Sequence, residues 1–142
     1  MPSGVFVDCG RAAAEGTRSD PMRSRCESLT ARCHGQVLVQ RVAVAGGFAG
    51  RGLGLMGRAR LPPGEGLLLR PCGDVHTFFM RFPLDLVFLD ADDAVIRVVR
   101  NARPWRVVFG GRGARAVLEV ASGWMPADAV APGDRVSWSV QP

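Results

Sequence analysis

The length, composition and charge of this chain limit what it can be. Its 142 residues suffice for one domain, and 47% hydrophobic residues can form a core without a disulfide or a metal. No run of about 18 apolar residues is present, which argues against a transmembrane helix, and no signal-peptide pattern is recognisable. We therefore expect a cytoplasmic protein, with an envelope location as the alternative if the start site is misassigned.

The formal net charge of +5 comes from 18 arginines, and the chain contains no lysine. An arginine-only basic set indicates a coding bias of the genome, because basic composition by itself speaks only to non-specific association. We therefore do not expect a nucleic-acid partner.

The four cysteines, Cys9, Cys26, Cys33 and Cys72, match no zinc ribbon or finger spacing. Reduced thiols in a cytosolic protein are the plain interpretation. Cys33 is followed by His34, but two adjacent residues are poorly placed to share one tetrahedral ion. No cofactor is predicted.

In chain order, residues 1–35 show no hydrophobic period and are predicted to be a disordered or loosely attached tail. Residues 36–142 are predicted to form a single β domain. Its first strand is the β-branched run Gln36–Ala45. A short helix is expected within residues 48–56, although their glycines weaken it.

The remaining predicted strands are short and separated by glycine, proline and aspartate. They are expected at 67–70, 78–82, 84–90, 94–100, 106–109, 116–120 and 135–140, with a tight turn at 91–93 and one helical turn within 123–130. Seven or eight strands at such spacing predict a mainly β fold. We expect a compact antiparallel β-barrel or sandwich-like domain with one or two short helices.

Several ordered blocks of this sequence resemble a known family. The blocks are Gly54-Leu55-Met56-Gly57-Arg58, residues 76–90, Pro104-Trp105-Arg106, Val117-Leu118-Glu119 and Gly133-Asp134. Together they resemble the domain of unknown function 192 family of uncharacterised bacterial and archaeal proteins, over residues 36–140. The resemblance implies a compact, mainly antiparallel β domain and brings no established reaction.

Residues 71–90 are predicted to contribute to the core and are also the best functional candidate. On a strand, His76 would share one face with Phe78, Met80 and Phe82, and would then be a histidine at the edge of the core. Alternatively, Cys72, Asp74 and His76 meet at the mouth of a cavity. Cys72 and His76 are weak metal candidates, because two ligands are fewer than zinc sites use.

Two acidic residues lie inside predicted strands. Asp85 is expected to accept backbone N–H groups and to fix the corner between strands, although it could also orient the ring of His76. Glu119 would need a partner if it points inward, and Arg81 or Arg97 would serve.

The most basic region surrounds Trp105 and contains Arg97, Arg100, Arg103 and Arg106. It could hold an anion or a nucleotide by stacking and by guanidinium contacts. We favour a solvated loop in which Trp105 covers one end of the barrel.

The sequence favours a small non-enzymatic β module that binds a small ligand or a protein partner near residues 72–76. The candidate ligand-binding residues are His76, Arg81, Trp105, Arg106 and Glu119. The alternative is a small hydrolase or lyase that uses His76 with Asp74, Asp85 or Cys72 as catalytic groups.

Overall fold

The structure, a computed structural model, describes residues 28–45, 61–78 and 80–140, and these residues form nine strands and no helix. The strands are β1 (Leu29–Cys33), β2 (Gln36–Ala45), β3 (Glu65–Leu69), β4 (Asp74–His76), β5 (Leu84–Leu89), β6 (Val95–Ala102), β7 (Val107–Phe109), β8 (Ala116–Ala121) and β9 (Ser137–Val140). The mainly β prediction is therefore confirmed. None of the described residues belongs to a helix long and apolar enough to span a membrane.

Seven strands form one sheet in the order β6-β5-β8-β3-β2-β1-β9, and β4 and β7 form a second, two-stranded sheet. The larger sheet is mixed, because β2 and β3 run parallel while its other neighbours are antiparallel. The expectation of an antiparallel sheet is thus wrong at this pair. Strands joined by a long connection are free to run in the same direction, whereas a tight hairpin turn forces them to run antiparallel.

The two edges of the sheet meet just before β6 and β9, at an isolated bridge between Ala94 and Arg135 and at backbone hydrogen bonds between residues 93–95 and 133–136. The part of the chain that the structure describes is therefore an open sheet whose edges touch, and the predicted closed barrel is not found in it.

Neither predicted helix is observed within the described ranges. Residues 48–56 lie outside them, and residues 123–130 form turns. Gly123 has a φ of 83°, which is incompatible with a right-handed helical turn, and Pro126 has no N–H group to donate.

The predicted tail over residues 1–35 is wrong for residues 28–35, because β1 lies inside the sheet between β2 and β9. Leu29, Ala31 and Cys33 are buried, and this five-residue alternation is too short to stand out among polar neighbours.

His34 and Gly35 form the connection from β1 to β2, with φ angles of 51° and 75°. Two successive positive φ values are characteristic of a type I′ hairpin turn. Residues 1–27 lie outside the described ranges.

The strand predicted at 78–82 is also wrong. Strand β4 ends at His76, and residues 78 and 80–82 form turns and bends, while Phe79 lies outside the described residues. The N–H of Met80 donates to the carbonyl of Thr77, which turns the chain immediately after β4. The described residues of the apolar run 78–82 are therefore not part of a strand, contrary to the sequence pattern.

Apolar side chains pack on both faces of the large sheet. Val87 and Leu89 of β5 belong to a first core cluster, and Leu84, Leu86 and Phe88 belong to a second. The two-stranded sheet covers the second cluster, to which Val75 and Val108 contribute. Gly110 lies at this contact, where an added Cβ atom would be 2.5 Å from the Phe88 ring and from the Gly73 carbonyl oxygen. Only glycine fits there.

Candidate functional site

The outer face of the two-stranded sheet exposes large apolar side chains. Phe109 is 61% exposed, Trp105 56% and Val107 50%. Because side chains alternate along a strand, Val108 points to the core while its two neighbours point to solvent. Large apolar side chains are normally buried in the core, so a group of them exposed on one face marks a candidate interaction surface.

These side chains form one continuous surface with His76 and Phe78. His76 pairs with Val107 in the register of β4 and β7. The His76 and Phe78 rings stack at 5.1 Å between centroids, and the Phe78 and Trp105 rings lie 5.8 Å apart. We call the surface formed by His76, Phe78, Trp105, Val107 and Phe109 the aromatic face.

Thr77 holds the loop that presents Trp105. Its side chain is 1% exposed, and its Oγ1 donates to the Arg103 carbonyl at 2.6 Å and accepts the Arg106 N–H at 2.9 Å. The Trp105 N–H donates to the Thr77 carbonyl at 2.9 Å. These bonds fix Trp105 at a φ of 64°, a region that bulky residues rarely adopt and that is associated with functional sites.

The predicted arginine cluster around Trp105 is only partly formed. Arg103 and Arg106 lie within two residues of Trp105 in the chain and are exposed, and Nη1 of Arg106 donates to the Trp105 carbonyl at 3.4 Å. Arg97 instead donates to the carbonyl of Phe109. Arg100 turns to another part of the molecule. Arg103 and Arg106 near Trp105, and Arg97 at Phe109, therefore give the aromatic face a basic border.

His76 is exposed, so the predicted role as a histidine at the core edge is wrong. The cause is the early end of β4, which leaves His76 on the outer face of the small sheet, opposite to Val75. The thiol of Cys72 donates to the Asp74 carbonyl at 3.0 Å, and Asp74 Oδ1 accepts the Gly110 N–H at 3.3 Å. Among the described residues, no carboxylate is hydrogen-bonded or ion-paired to His76.

Asp85 has the structural role expected from the sequence. It is 1% exposed, its Oδ1 accepts the Asn101 N–H at 2.8 Å, and its Oδ2 accepts the Gly123 N–H at 3.2 Å. Arg100 Nη1 adds an ion pair at 3.1 Å. By strand alternation Asp85 lies on the opposite face of β5 from Leu84 and Leu86, whose cluster also contains Val75 of β4. It is therefore not placed to orient His76.

Glu119 is the second buried acid, 6% exposed, and it lies between Leu67 of β3 and Leu86 of β5. Desolvation by burial raises its pKa from 4.5 to about 7. The predicted pairing with Arg81 or Arg97 is wrong in the described ranges, because Arg81 is exposed and Arg97 bonds to a backbone carbonyl. Glu119 is thus a carboxyl group inside an apolar layer, which favours its neutral form.

Sequence reasoning missed Thr77, Val107 and Phe109. The short alternation of Val107, Val108 and Phe109 was visible, but a period of two does not say which face is buried. Thr77 is inconspicuous because its partners are 26 and 29 residues away.

The chain matches the family model DUF192, described as "Uncharacterized ACR", over residues 29–138. It is 33% identical to a UPF0127 protein of Pyrococcus abyssi over 104 residues, which cover 69% of this chain and 86% of the relative. A UPF0127 protein of Thermococcus sibiricus is 31% identical over 121 residues, covering 80% of this chain and 75% of the relative.

Two solved structures are similar in fold. A protein of unknown function from Novosphingobium aromaticivorans is 26% identical, with a TM-score of 0.72, covering 89% of this chain and 96% of that one. A putative transcription regulator from Sinorhizobium meliloti is 25% identical, with a TM-score of 0.68, covering 79% and 92%. The resemblance expected from the sequence is confirmed, and the chain belongs to the DUF192 family, whose function is uncharacterised.

Proposed function

We propose that this protein is a non-enzymatic binding module whose aromatic face docks an acidic segment of a protein partner. The observation that carries the proposal is the joint exposure of Trp105, Val107 and Phe109 on one side of a small sheet. Exposed apolar patches on soluble proteins commonly mark interaction sites. Nothing in the described residues supports the hydrolase or lyase alternative.

The residue types fit a protein interface. Tryptophan and arginine are enriched among the residues that contribute most to protein binding, and aromatic rings bury much area at a small entropy cost. Trp105 is also held in place by Thr77 before any partner arrives. Binding therefore needs little ordering of this loop.

The charge of the partner follows from the border of the face. Arg103 and Arg106 are exposed beside Trp105, and the whole chain carries a net charge of +5. An acidic segment would gain complementary contacts and faster association, whereas a basic one would be repelled. Apolar side chains of that segment would contact Trp105 and Phe109.

The test is selection of short random peptides, displayed on phage, against the full chain. We expect enrichment of sequences that combine acidic with aromatic or aliphatic residues. Selected peptides, measured by fluorescence anisotropy, should bind Trp105→Ala and Phe109→Ala at least about ten-fold more weakly, the loss typical of important interface residues. Val37→Ala, which shortens another exposed apolar side chain, is the matched control and should bind like the wild type.

The proposal is overturned if no acidic sequences are enriched, or if they bind Trp105→Ala as well as the wild type. A labelled single-stranded oligonucleotide tests the other class of partner. Tight oligonucleotide binding that Trp105→Ala and Arg106→Ala both abolish would replace the protein partner with a nucleic acid.

A further inference from the structure

We propose that Cys33, His34 and Asp134 form a zinc-binding site at the end of the first hairpin. The site uses elements other than those of the aromatic face and is independent of the proposed function. Cys33 ends β1, His34 occupies the turn to β2, and Asp134 precedes β9. One ligand atom from each residue lies within 4.8 Å of the other two.

Cys33 and His34 are adjacent in sequence, and the fold brings Asp134 close enough to both to share an ion with them. The type I′ turn places His34 at a φ of 51°, so its imidazole reaches Asp134, with Nε2 3.0 Å from Oδ1. Cys33 lies beside the same carboxylate, with its Sγ within 4.8 Å of an Asp134 oxygen. The third ligand thus comes from a segment 100 residues further along the chain, which spacing rules do not detect.

Two hydrogen bonds hold Asp134 in place and leave its Oδ1 free of backbone bonds within the described ranges, so that this oxygen can bind a metal ion. Its Oδ2 accepts the Ala131 N–H at 2.9 Å, and its backbone carbonyl accepts the Val95 N–H at 2.7 Å. Its Oδ1 faces His34. Among the described residues, Asp134 forms an ion pair with His34 and with no arginine.

The donor set selects the metal. Thiolate and imidazole are preferred by zinc and other late transition metals, while magnesium and calcium prefer oxygen alone. Tetrahedral zinc with bonds of about 2.0–2.3 Å separates neighbouring donors by roughly 3.4–3.6 Å. The observed 3.0 Å between Nε2 and Oδ1 and the upper limit of 4.8 Å therefore need only small side-chain shifts.

The coordination leaves one position open. Three protein ligands complete a zinc site when a water or a further group supplies the fourth. A thiolate and a carboxylate balance the two positive charges of the ion. The His34 side chain is 67% exposed and that of Asp134 is 23% exposed, whereas Cys33 is buried, so an ion reaches the thiol from the solvent side.

Burial and the neighbouring Asp134 raise the pKa of Cys33, while hydrogen bonds from Ala131 and His34 lower that of Asp134. Zinc binding displaces the thiol proton, as is general for such ligands.

The experiment uses the full reduced chain and two metals. Zinc binding is measured by isothermal titration calorimetry, and cobalt is added to record its thiolate-to-metal charge-transfer band. We expect one zinc per chain and a charge-transfer band. His34→Asn removes the imidazole and keeps a residue that tolerates positive φ, so the hairpin should remain folded. It should weaken zinc affinity about ten-fold or more.

Cys33→Ser should abolish the cobalt charge-transfer band, and Cys72→Ser, the matched control, should retain it. Circular dichroism melting curves verify that each variant is folded. The proposal is overturned if the wild type binds no zinc at micromolar concentration. It is equally overturned if folded His34→Asn and Cys33→Ser bind zinc as the wild type does, because the ion is then held elsewhere.

Discussion

Both sheets contain apolar strands, but the two sheets differ in how far the apolar side chains are buried. Strand β5 of the large sheet buries all six of its side chains, while β7 leaves Val107 and Phe109 exposed. The difference lies in what covers each strand. Strand β5 pairs with β6 and β8 and has a core cluster on each face, whereas β7 pairs with β4 and has a cluster on one face only. Apolar residues in a strand therefore indicate core only where both faces are covered.

The largest expected difference between the two sheets is that between two phenylalanines. Phe88→Ala should lower the free energy of unfolding by about 3–5 kcal/mol, because the ring is fully buried. Phe109→Ala should change it by about 0.5 kcal/mol or less. Urea denaturation measures both. Equal losses of stability would show that the outer face of β7 is covered, and the proposed difference between the two sheets would then be wrong.

A second test concerns pH and the buried carboxyl of Glu119. Its folded pKa of about 7 exceeds the ordinary 4.5, so the folded state binds a proton more tightly than the unfolded state. The stability that Glu119 contributes should therefore be fully present below about pH 4.5, decrease as the pH rises, and be lost above about pH 7. The full loss is about 3 kcal/mol.

Glu119→Gln should remove this pH-dependent loss of stability. The free energy of unfolding of the variant should therefore exceed that of the wild type at pH 8 but not at pH 5. Urea denaturation at pH 5 and pH 8 measures the free energy of unfolding. Asp128→Asn, which removes an exposed carboxylate, is the control. If the wild type and Glu119→Gln showed the same pH profile, Glu119 would be ionised and paired in the folded protein.

The smallest of the three expected effects concerns Asp85 in the large sheet and Asp74 in the small one. Asp85→Ala should cost about 2 kcal/mol, since it leaves the Asn101 and Gly123 N–H groups without their acceptor. Asp74→Ala, which loses one long hydrogen bond at a more exposed site, should cost about 0.5 kcal/mol. Thermal melting of both variants checks the order, and a larger loss at Asp74 would contradict it.

Much of the large sheet was predictable from local sequence. β2, β5, β6 and β8 are β-branched or aliphatic runs bounded by turn residues, and the turn at 91–93 follows from its aspartates. The structural role of Asp85 was also predicted, because a carboxylate at the start of an apolar strand favours bonding to backbone N–H groups, but its partners Asn101 and Gly123 lie 16 and 38 residues away. The family resemblance depended on the same local blocks.

The sequence by itself determined where most strands lie and that the fold is mainly β, because alternation and turn chemistry act between near neighbours. Only the tertiary structure decided which faces are covered, and contacts between distant segments are what cover them. That is why His76 and Phe109 lie on a surface and why Glu119 lies in an apolar layer. It is also why Asp134 meets Cys33 and His34, since a sheet brings together residues 100 positions apart that no local pattern connects.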